Sequence, residues 1–142
     1  MLLPDVNVLL YAFRREFDQH TRYRRWLETL ISGDDRFAMS ELVLSSVVRI
    51  ATTRQIFQFP ETTETALAFA DSLKSHPQCV LIAPGARHWN IFARLCRDAR
   101  ISGKLVSDAY LAALAIEHGC EWITADRDFS RFPGLRWRHP LG

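Results

Sequence analysis

Four acidic residues stand where the sequence predicts that strands and helices meet, and carboxylates in such positions can do chemistry. Asp5 ends the first apolar run, Glu41 opens an amphipathic stretch, Asp108 opens an alanine-rich stretch, and Asp126 follows a later apolar run. Ligands of an open parallel sheet bind outside the carboxyl ends of its strands. Three of these acids lie at or just beyond such an end, and Asp108 begins a helix that leads back into the sheet. We therefore expect the four carboxylates to converge on one cleft.

A cluster of ionised carboxylates is unstable without a counter-charge. The five histidines show no HxH, HxxxH or HExxH spacing and the three cysteines form no CxxC pair, so a nitrogen or sulfur metal site is not expected. Mg²⁺ and Mn²⁺ prefer oxygen ligands and bridge to phosphate. An ion of this kind lowers the pKa of a bound water and neutralises charge that grows on a phosphodiester. The acids thus indicate metal-assisted phosphodiester chemistry.

Each acid also has a purely structural interpretation. Glu41 and Asp108 would lie in the first turn of a helix, where a negative charge is favoured by about 0.3–1 kcal/mol. Asp126 could form an Asx turn before Arg127. Asp5 is harder to explain in this way, because it stands inside an apolar run and the burial of an unpaired carboxylate is very costly.

The elements that must position these acids alternate along the chain. Amphipathic periodicity and capping residues, such as Ser40 before Glu41, predict six helices that alternate with short apolar strands. This order predicts an α/β domain with a parallel sheet covered on both faces. The strands are predicted at residues 2–5, 36–39, 80–83, 122–125 and 135–138, and the helices at residues 7–13, 18–31 (capped by Asp18), 41–52, 61–75, 87–99 and 107–118 (capped by Ser107).

Composition excludes several classes of protein. With 142 residues, 48% of them hydrophobic and 24% charged, the chain fits one globular domain over residues 1–142 and does not resemble a disordered protein. Its apolar runs are far shorter than the roughly 18 residues of a membrane span, and it does not begin like a secretory signal. The odd number of unpaired cysteines favours a reducing compartment, so we expect a cytoplasmic protein.

Arginines are concentrated in two segments although the net charge is only +2. The candidates for contacts with RNA are Arg14, Arg22 and Arg25 in residues 14–25 and Arg136 near the end of the chain. Aromatic residues, Trp26 among them, lie between these arginines, and guanidinium groups beside aromatic rings suit phosphates and stacked bases. The alternative is a solvated face on which long side chains cover apolar surface.

With these residues placed, the chain resembles the PIN-domain family, and in particular the VapC-type toxins of bacterial type II toxin–antitoxin pairs. The segment LLPDVNVLLYA around Asp5 is similar to the first motif of the family, and SEL around Glu41 is similar to the second. VSDAYLAA around Asp108 and TADRDF around Asp126 match the third and fourth. The closing FPGLRW resembles a mycobacterial branch. The order and spacing agree over nearly the whole chain.

The resemblance implies a three-layer α/β/α sandwich around a mostly parallel sheet of about five strands. It implies a Mg²⁺- or Mn²⁺-dependent endoribonuclease that forms a homodimer and is inhibited by a VapB-type antitoxin. The residues it assigns to catalysis are Asp5, Glu41, Asp108 and Asp126. Asp5, Asp108 and Asp126 would bind the metal, Glu41 and Asp128 would reach it through water, and Asn7 and Thr124 would orient these groups.

Two other functions remain open from the sequence. Asp5-x-Asn7 is similar to the DxD start of a haloacid-dehalogenase-type phosphatase, although an asparagine cannot transfer a proton in place of the second aspartate. A PIN module that binds RNA or protein without cleavage is the other.

One departure from the family pattern is Pro4, which lacks an N–H and puts the pairing of the first strand on one side in doubt. For an antitoxin, we expect a basic side chain in the acidic cleft and an apolar groove lined by Leu42, Phe57 and Phe59, the latter two in a loop over residues 55–60.

Overall fold

The computed structural model describes residues 1–142 as an α/β protein that contains every predicted strand and helix. The elements are β1 (Leu2–Pro4), α1 (Val6–Phe13), α2 (His20–Ser32), β2 (Phe37–Ser40), α3 (Glu41–Ala51), α4 (Thr63–Lys74), β3 (Cys79–Ile82), α5 (His88–Asp98), α6 (Lys104–Glu117), β4 (Glu121–Ile123), a 3₁₀ helix (Arg127–Arg131) and β5 (Trp137–Arg138).

The five strands are all parallel and form two hydrogen-bonded ladders. One ladder has the order β1-β4-β5, and the other joins β2 to β3. β1 also packs beside β2. The amide of Asp5 donates to the carbonyl of Ile123 on the β4 side (2.8 Å), so alternation along the strand turns the nitrogen of Pro4 toward β2. Because the nitrogen of proline has no hydrogen to donate, the hydrogen-bonded ladder is interrupted between β1 and β2 at Pro4. The sequence indicated such an effect on one side of the first strand.

The helices pack in two groups, α1 to α4 with one another and α5 with α6, and together with the sheet they form a three-layer α/β/α sandwich. The 31 buried apolar residues form one continuous core. The alanines of α6 that face this core are fully buried, which lets the helix lie close to the sheet. No helix is both long enough and apolar enough to cross a bilayer.

Two predicted helix caps, Asp18 and Ser107, are wrong. α2 begins at His20 after Gln19, so Asp18 does not cap it. α6 begins at Lys104 after Gly103, whose φ of 63° lies in the left-handed region that favours glycine. Asp108 therefore lies in the second turn of α6, and a preference for the helix N-terminus does not explain it. Ser40 does cap α3, since its hydroxyl accepts a hydrogen bond from the amide of Leu42 (3.2 Å).

Candidate acidic cleft

Asp5 stands at the carboxyl end of β1 and caps α1. Its side chain is only 5% exposed. One carboxylate oxygen accepts a hydrogen bond from the amide of Val6 (2.6 Å), and the other accepts from the hydroxyl of Thr124 (2.7 Å) and the amide nitrogen of Asn7 (3.4 Å). These donors hold the carboxylate in one orientation at the edge of the sheet where parallel strands end.

Thr124 and Asn7 join the ends of β1 and β4. The fully buried hydroxyl of Thr124 accepts from the backbone amide of Asp126 (3.0 Å) and from the side chain of Asn7 (3.3 Å) while it donates to Asp5. The side-chain oxygen of Asn7 accepts from the backbone amide of Ala125 (3.1 Å). The structure thus places both residues where they orient Asp5 and fix the turn that carries Asp126.

Burial is the main reason why the pKa of Asp5 rises to about 6. The hydrogen bonds from Thr124 and Val6 lower this pKa, whereas the negative charges of Asp108 and Asp126 raise it further. The three aspartates are therefore close enough for their charges to interact, although they come from the ends of two strands and from a helix. This is the part of the expected acidic cleft that the structure assembles.

Asp108 is half-buried and its environment is mixed. Burial is the main reason why the pKa of Asp108 is raised, and the negative charges of Asp126 and Asp128 raise it further. Lys104 and Arg131 oppose it, because a nearby cation favours the ionised carboxylate. Sequence reasoning missed both of these basic residues. The four-residue spacing of Lys104 and Asp108 would have indicated the first of them, had the start of α6 been predicted correctly.

Asp126 lies beyond β4, and one of its oxygens accepts a hydrogen bond from the amide of Asp128 (2.9 Å). This contact is the Asx turn that the sequence allowed, and it begins the 3₁₀ helix. The carboxylate of Asp128 is exposed and lies 3.7 Å from the guanidinium of Arg131. Asp126 thus has a structural role and still contributes its charge to the cleft.

The side chain of Glu41 has a partner other than these aspartates. It is 69% exposed and forms an ion pair with Lys74 of α4. The hydrogen bond from Lys74 lowers the pKa of Glu41, and no aspartate of the cleft affects it. The charges of three of the four predicted acids therefore interact, and the fourth, Glu41, pairs with Lys74. As the side chains stand, no three aspartate, glutamate, histidine or cysteine groups converge closely enough to enclose a metal ion.

Two of the arginines predicted to bind RNA lie elsewhere. Arg14 is 5% exposed and pairs with Glu16 and Glu61, so its predicted contact with substrate is wrong. Arg136 donates to the carbonyl of Gly119 (2.8 Å) before β4, at the opposite edge of the sheet from Asp5. Arg22 and Arg25 are exposed on α2, as a contact with substrate requires.

The chain is similar in sequence to known proteins over nearly its whole length. Residues 2–135 match the family described as "PIN domain". Ribonuclease VapC43 of Mycobacterium tuberculosis is 41% identical over 141 residues, which cover 99% of this chain and 96% of the relative. Ribonuclease VapC25 of the same organism is 40% identical over 140 residues, 99% of both chains.

Solved structures show the same fold. VapBC2 from Rickettsia felis, bound to a DNA fragment from its promoter, gives a TM-score of 0.70 at 20% identity, with 97% of both chains covered. VapC20 of Mycobacterium tuberculosis, described as a sarcin–ricin loop cleaving toxin, gives a TM-score of 0.67 at 17% identity, with 96% of this chain and 99% of that chain covered.

Proposed function

The chain belongs to the PIN-domain family, and on that premise we propose that it is a cytoplasmic endoribonuclease, the toxin of a type II toxin–antitoxin pair. Relatives named as ribonucleases match it over nearly its whole length, which supports one PIN domain over residues 1–142. The observation that carries the proposal is the buried carboxylate of Asp5, whose pKa is raised to about 6 beside Asp108 and Asp126. Such a group gains most from a cation placed next to it.

The donor set fits a hard divalent cation, because every candidate ligand is a carboxylate oxygen. Mg²⁺ is usually held through one or two carboxylates while it keeps several waters, so a cage of three acids is not required. Asp5, Asp108 and Asp126 would hold Mg²⁺ or Mn²⁺, and Asp128 would reach it through water. Glu41 would do the same only after its ion pair with Lys74 opens. When bound, the ion would lower the pKa of a water and neutralise charge on the phosphodiester.

The remaining residues of the cleft position these groups. Thr124 and Asn7 keep the oxygens of Asp5 in place. Lys104 and Arg131 bring positive charge near Asp108, which would attract a phosphate. Asn7 uses its amide on Asp5, Thr124 and Ala125 and has no proton to transfer, which counts against the phosphatase alternative. A module that only binds would have no use for a buried carboxylate that costs stability.

The test is cleavage of a single-stranded RNA by the purified chain with Mg²⁺, with Mn²⁺ and with EDTA. We expect Asp5→Asn and Asp108→Asn to lower the rate at least 100-fold and to remove the rise in melting temperature that Mg²⁺ causes. Asp34→Asn, an exposed aspartate in the loop before β2, is the matched control. Glu41→Gln would lower the rate without a change in the melting temperature.

Four results would contradict the proposal. Full cleavage in EDTA, or by Asp5→Asn, would exclude the metal site. Hydrolysis of a small phosphomonoester without cleavage of RNA would indicate a phosphatase. Binding of RNA without cleavage under any of the metal conditions would indicate a non-catalytic module.

For the partner, we propose a VapB-type antitoxin, since solved neighbours such as VapBC2 are toxin–antitoxin complexes. A basic side chain in the cleft would replace the charge of the cation, and arginine suits this best because it binds carboxylates bidentately. The homodimer remains a prediction from the family.

The groove predicted for the antitoxin is wrong, because Phe57 is 5% exposed and belongs to the core. Phe59 is 75% exposed and Leu42 is also exposed, but they do not share an apolar groove with Phe57. An apolar groove of about 480 Å³ lies between α1, α2 and α4, and its walls include Phe13, Leu27 and Phe69. We propose this α1–α2–α4 groove for the antitoxin tail.

A further inference from the structure

A second concave surface lies on the exposed face of α2, away from the α1–α2–α4 groove. It is a cavity of about 280 Å³ lined by Arg22, Arg25, Trp26, Thr29 and Leu141. Arg22 and Arg25 are three residues apart, so their guanidinium groups project from one side of the helix. Neither arginine pairs with a carboxylate: Arg22 donates only to the side chain of Gln19 (2.7 Å), and Arg25 has no side-chain partner. Two uncompensated cations therefore stand beside an indole.

The end of the chain connects this cavity to the acidic cleft. β5 ends at Arg138, so His139 emerges at the same edge of the sheet as Asp126. The hydroxyl of Tyr23 lies 3.5 Å from the Nε2 of His139, which docks the first turns of α2 against this edge. The amide of Leu141 donates to the Nδ1 of His139 (3.1 Å) and so holds the wall of the cavity.

Arg127 lies near both surfaces. It directly follows Asp126 and has no ion-pair partner. Burial lowers the pKa of His139, and the charges of Arg127 and Arg22 lower it further, so both guanidinium groups lie near this ring. Arg127, Arg22 and Arg25 therefore form a basic strip that passes His139, with Asp126 next to Arg127 at one end and the cavity on α2 at the other.

We propose that this basic strip binds the sugar–phosphate backbone of a single-stranded RNA as it leaves the acidic cleft, and that Trp26 stacks one of its bases in the cavity. The proposal rests on the proposed ribonuclease function and adds the direction in which the substrate runs. Arginines along a groove follow the phosphates of a single strand, and an aromatic side chain binds a base through its π-face. A duplex keeps its bases stacked on each other and offers none to an indole.

The opposite direction lacks these features. Arg14 is buried, and Arg136 lies at the other edge of the sheet. Glu41 and Lys74 compensate each other. The basic strip is therefore a path with uncompensated positive charge that leads away from the three aspartates.

The experiment measures the affinity of a fluorescent single-stranded RNA for the full chain in EDTA, where no cleavage occurs, over a range of salt concentrations. The variants are the double Arg22→Gln/Arg25→Gln and the single Trp26→Leu, which keeps an apolar side chain. Arg24→Gln is the matched control, because Arg24 is on the same helix, pairs with Glu28 and faces the α1–α2–α4 groove. Circular dichroism melts establish that each variant is folded.

We expect the double variant to weaken binding at least tenfold and to reduce the slope of log K against log salt by about 1.4, since each phosphate contact with a single strand contributes about 0.7. Trp26→Leu should weaken binding about tenfold with the slope unchanged, because stacking releases no counterions. Arg24→Gln should stay within twofold of the native chain. In the cleavage assay with Mg²⁺, the strip variants should raise KM and leave kcat within threefold.

The proposal is overturned if the strip variants bind RNA with the same affinity and the same salt slope as Arg24→Gln. The proposed ribonuclease function would still stand in that case, provided that the native chain cleaves RNA. A native chain that neither binds nor cuts RNA would overturn the proposed function first. Strip variants that keep their affinity for RNA but lose affinity for an acidic antitoxin would assign this surface to a protein partner, which also overturns the proposal.

Discussion

Asp5 illustrates at the scale of one residue how a functional site costs stability. The carboxylate is removed from water and lies near two other aspartates, both of which disfavour its ionised form. Three hydrogen bonds fix its orientation but do not cancel that cost, since the pKa remains raised to about 6. The residue is thus preorganised for a cation at the expense of the apo fold.

The pH dependence of folding should report this cost. An aspartate with a pKa of about 6 when folded and an ordinary pKa near 3.8 when unfolded binds its proton more tightly in the folded state. In EDTA the free energy of unfolding should therefore fall as pH rises from about 4 to about 6, by up to about 3 kcal/mol, and then level off. Urea unfolding between pH 4 and 8 measures it.

Asp5→Asn should remove the fall in the free energy of unfolding between pH 4 and 6, whereas Asp34→Asn should show the same fall as the native chain. Mg²⁺ should restore stability above pH 6 in the native chain, where Asp5 is ionised, and have no effect at pH 4. An Asp5→Asn curve that parallels the native one would assign the pH dependence to other groups.

At the scale of elements, Arg14 attaches the α3–α4 loop to the end of α1. Its guanidinium pairs with Glu16 and Glu61, donates to the carbonyl of Phe59 (2.7 Å) and lies 4.4 Å from the ring centre of Phe57. The ion pair with Glu16 raises the pKa of Arg14 and lowers that of Glu16. A cation predicted to bind substrate therefore holds together two parts of the scaffold.

Replacement of Arg14 by methionine should lower the free energy of unfolding by about 1–3 kcal/mol, because it removes charge-assisted hydrogen bonds and leaves Glu61 without a partner. The exposed neighbour Arg15→Met should change it by less than about 0.5 kcal/mol. Urea unfolding compares the two variants. Since Arg14 does not reach the cleft, kcat/KM for RNA should be unchanged; a loss of RNA affinity with native stability would make Arg14 a substrate contact after all.

At the scale of the whole molecule, α2 separates two surfaces that we assign to different ligands. One side of the helix carries Arg22 and Arg25 beside the cavity proposed for RNA, and the other contributes Leu27 and Ile31 to the α1–α2–α4 groove. An antitoxin that fills the groove and extends into the acidic cleft would therefore block catalysis without covering the entire basic strip.

Competition tests this arrangement. We expect saturating Mg²⁺ to weaken antitoxin binding, since the ion and a basic side chain would neutralise the same aspartates. Ala68→Arg, in the wall of the groove, should weaken binding at least tenfold and leave cleavage of RNA unchanged, whereas Ala86→Arg at the exposed β3–α5 turn should affect neither. Calorimetry with the purified antitoxin measures both effects. If the affinity for the antitoxin does not depend on Mg²⁺, a basic side chain of the antitoxin does not occupy the acidic cleft.

The sequence determined the features that depend on neighbouring residues. Alternation of apolar runs with amphipathic stretches predicted the α/β order, and Ser40 predicted the start of α3. The positions of Asp5 and Asp126 after strands placed them at one edge of the sheet, because parallel strands end together. The interruption at Pro4 followed from its missing N–H.

Tertiary structure decided what depends on residues far apart in the chain. The hydroxyl of Thr124 reaches Asp5 across 119 positions, and Lys74 takes the carboxylate of Glu41 from 33 positions away. The burial of Arg14 depends on Glu61, which no local pattern connects to it. Periodicity and capping report only a few neighbouring residues, whereas the partner of a charge is chosen by the packing of whole elements. For that reason the sequence located the carboxylates, and only the fold showed which three of them lie close enough for their charges to interact.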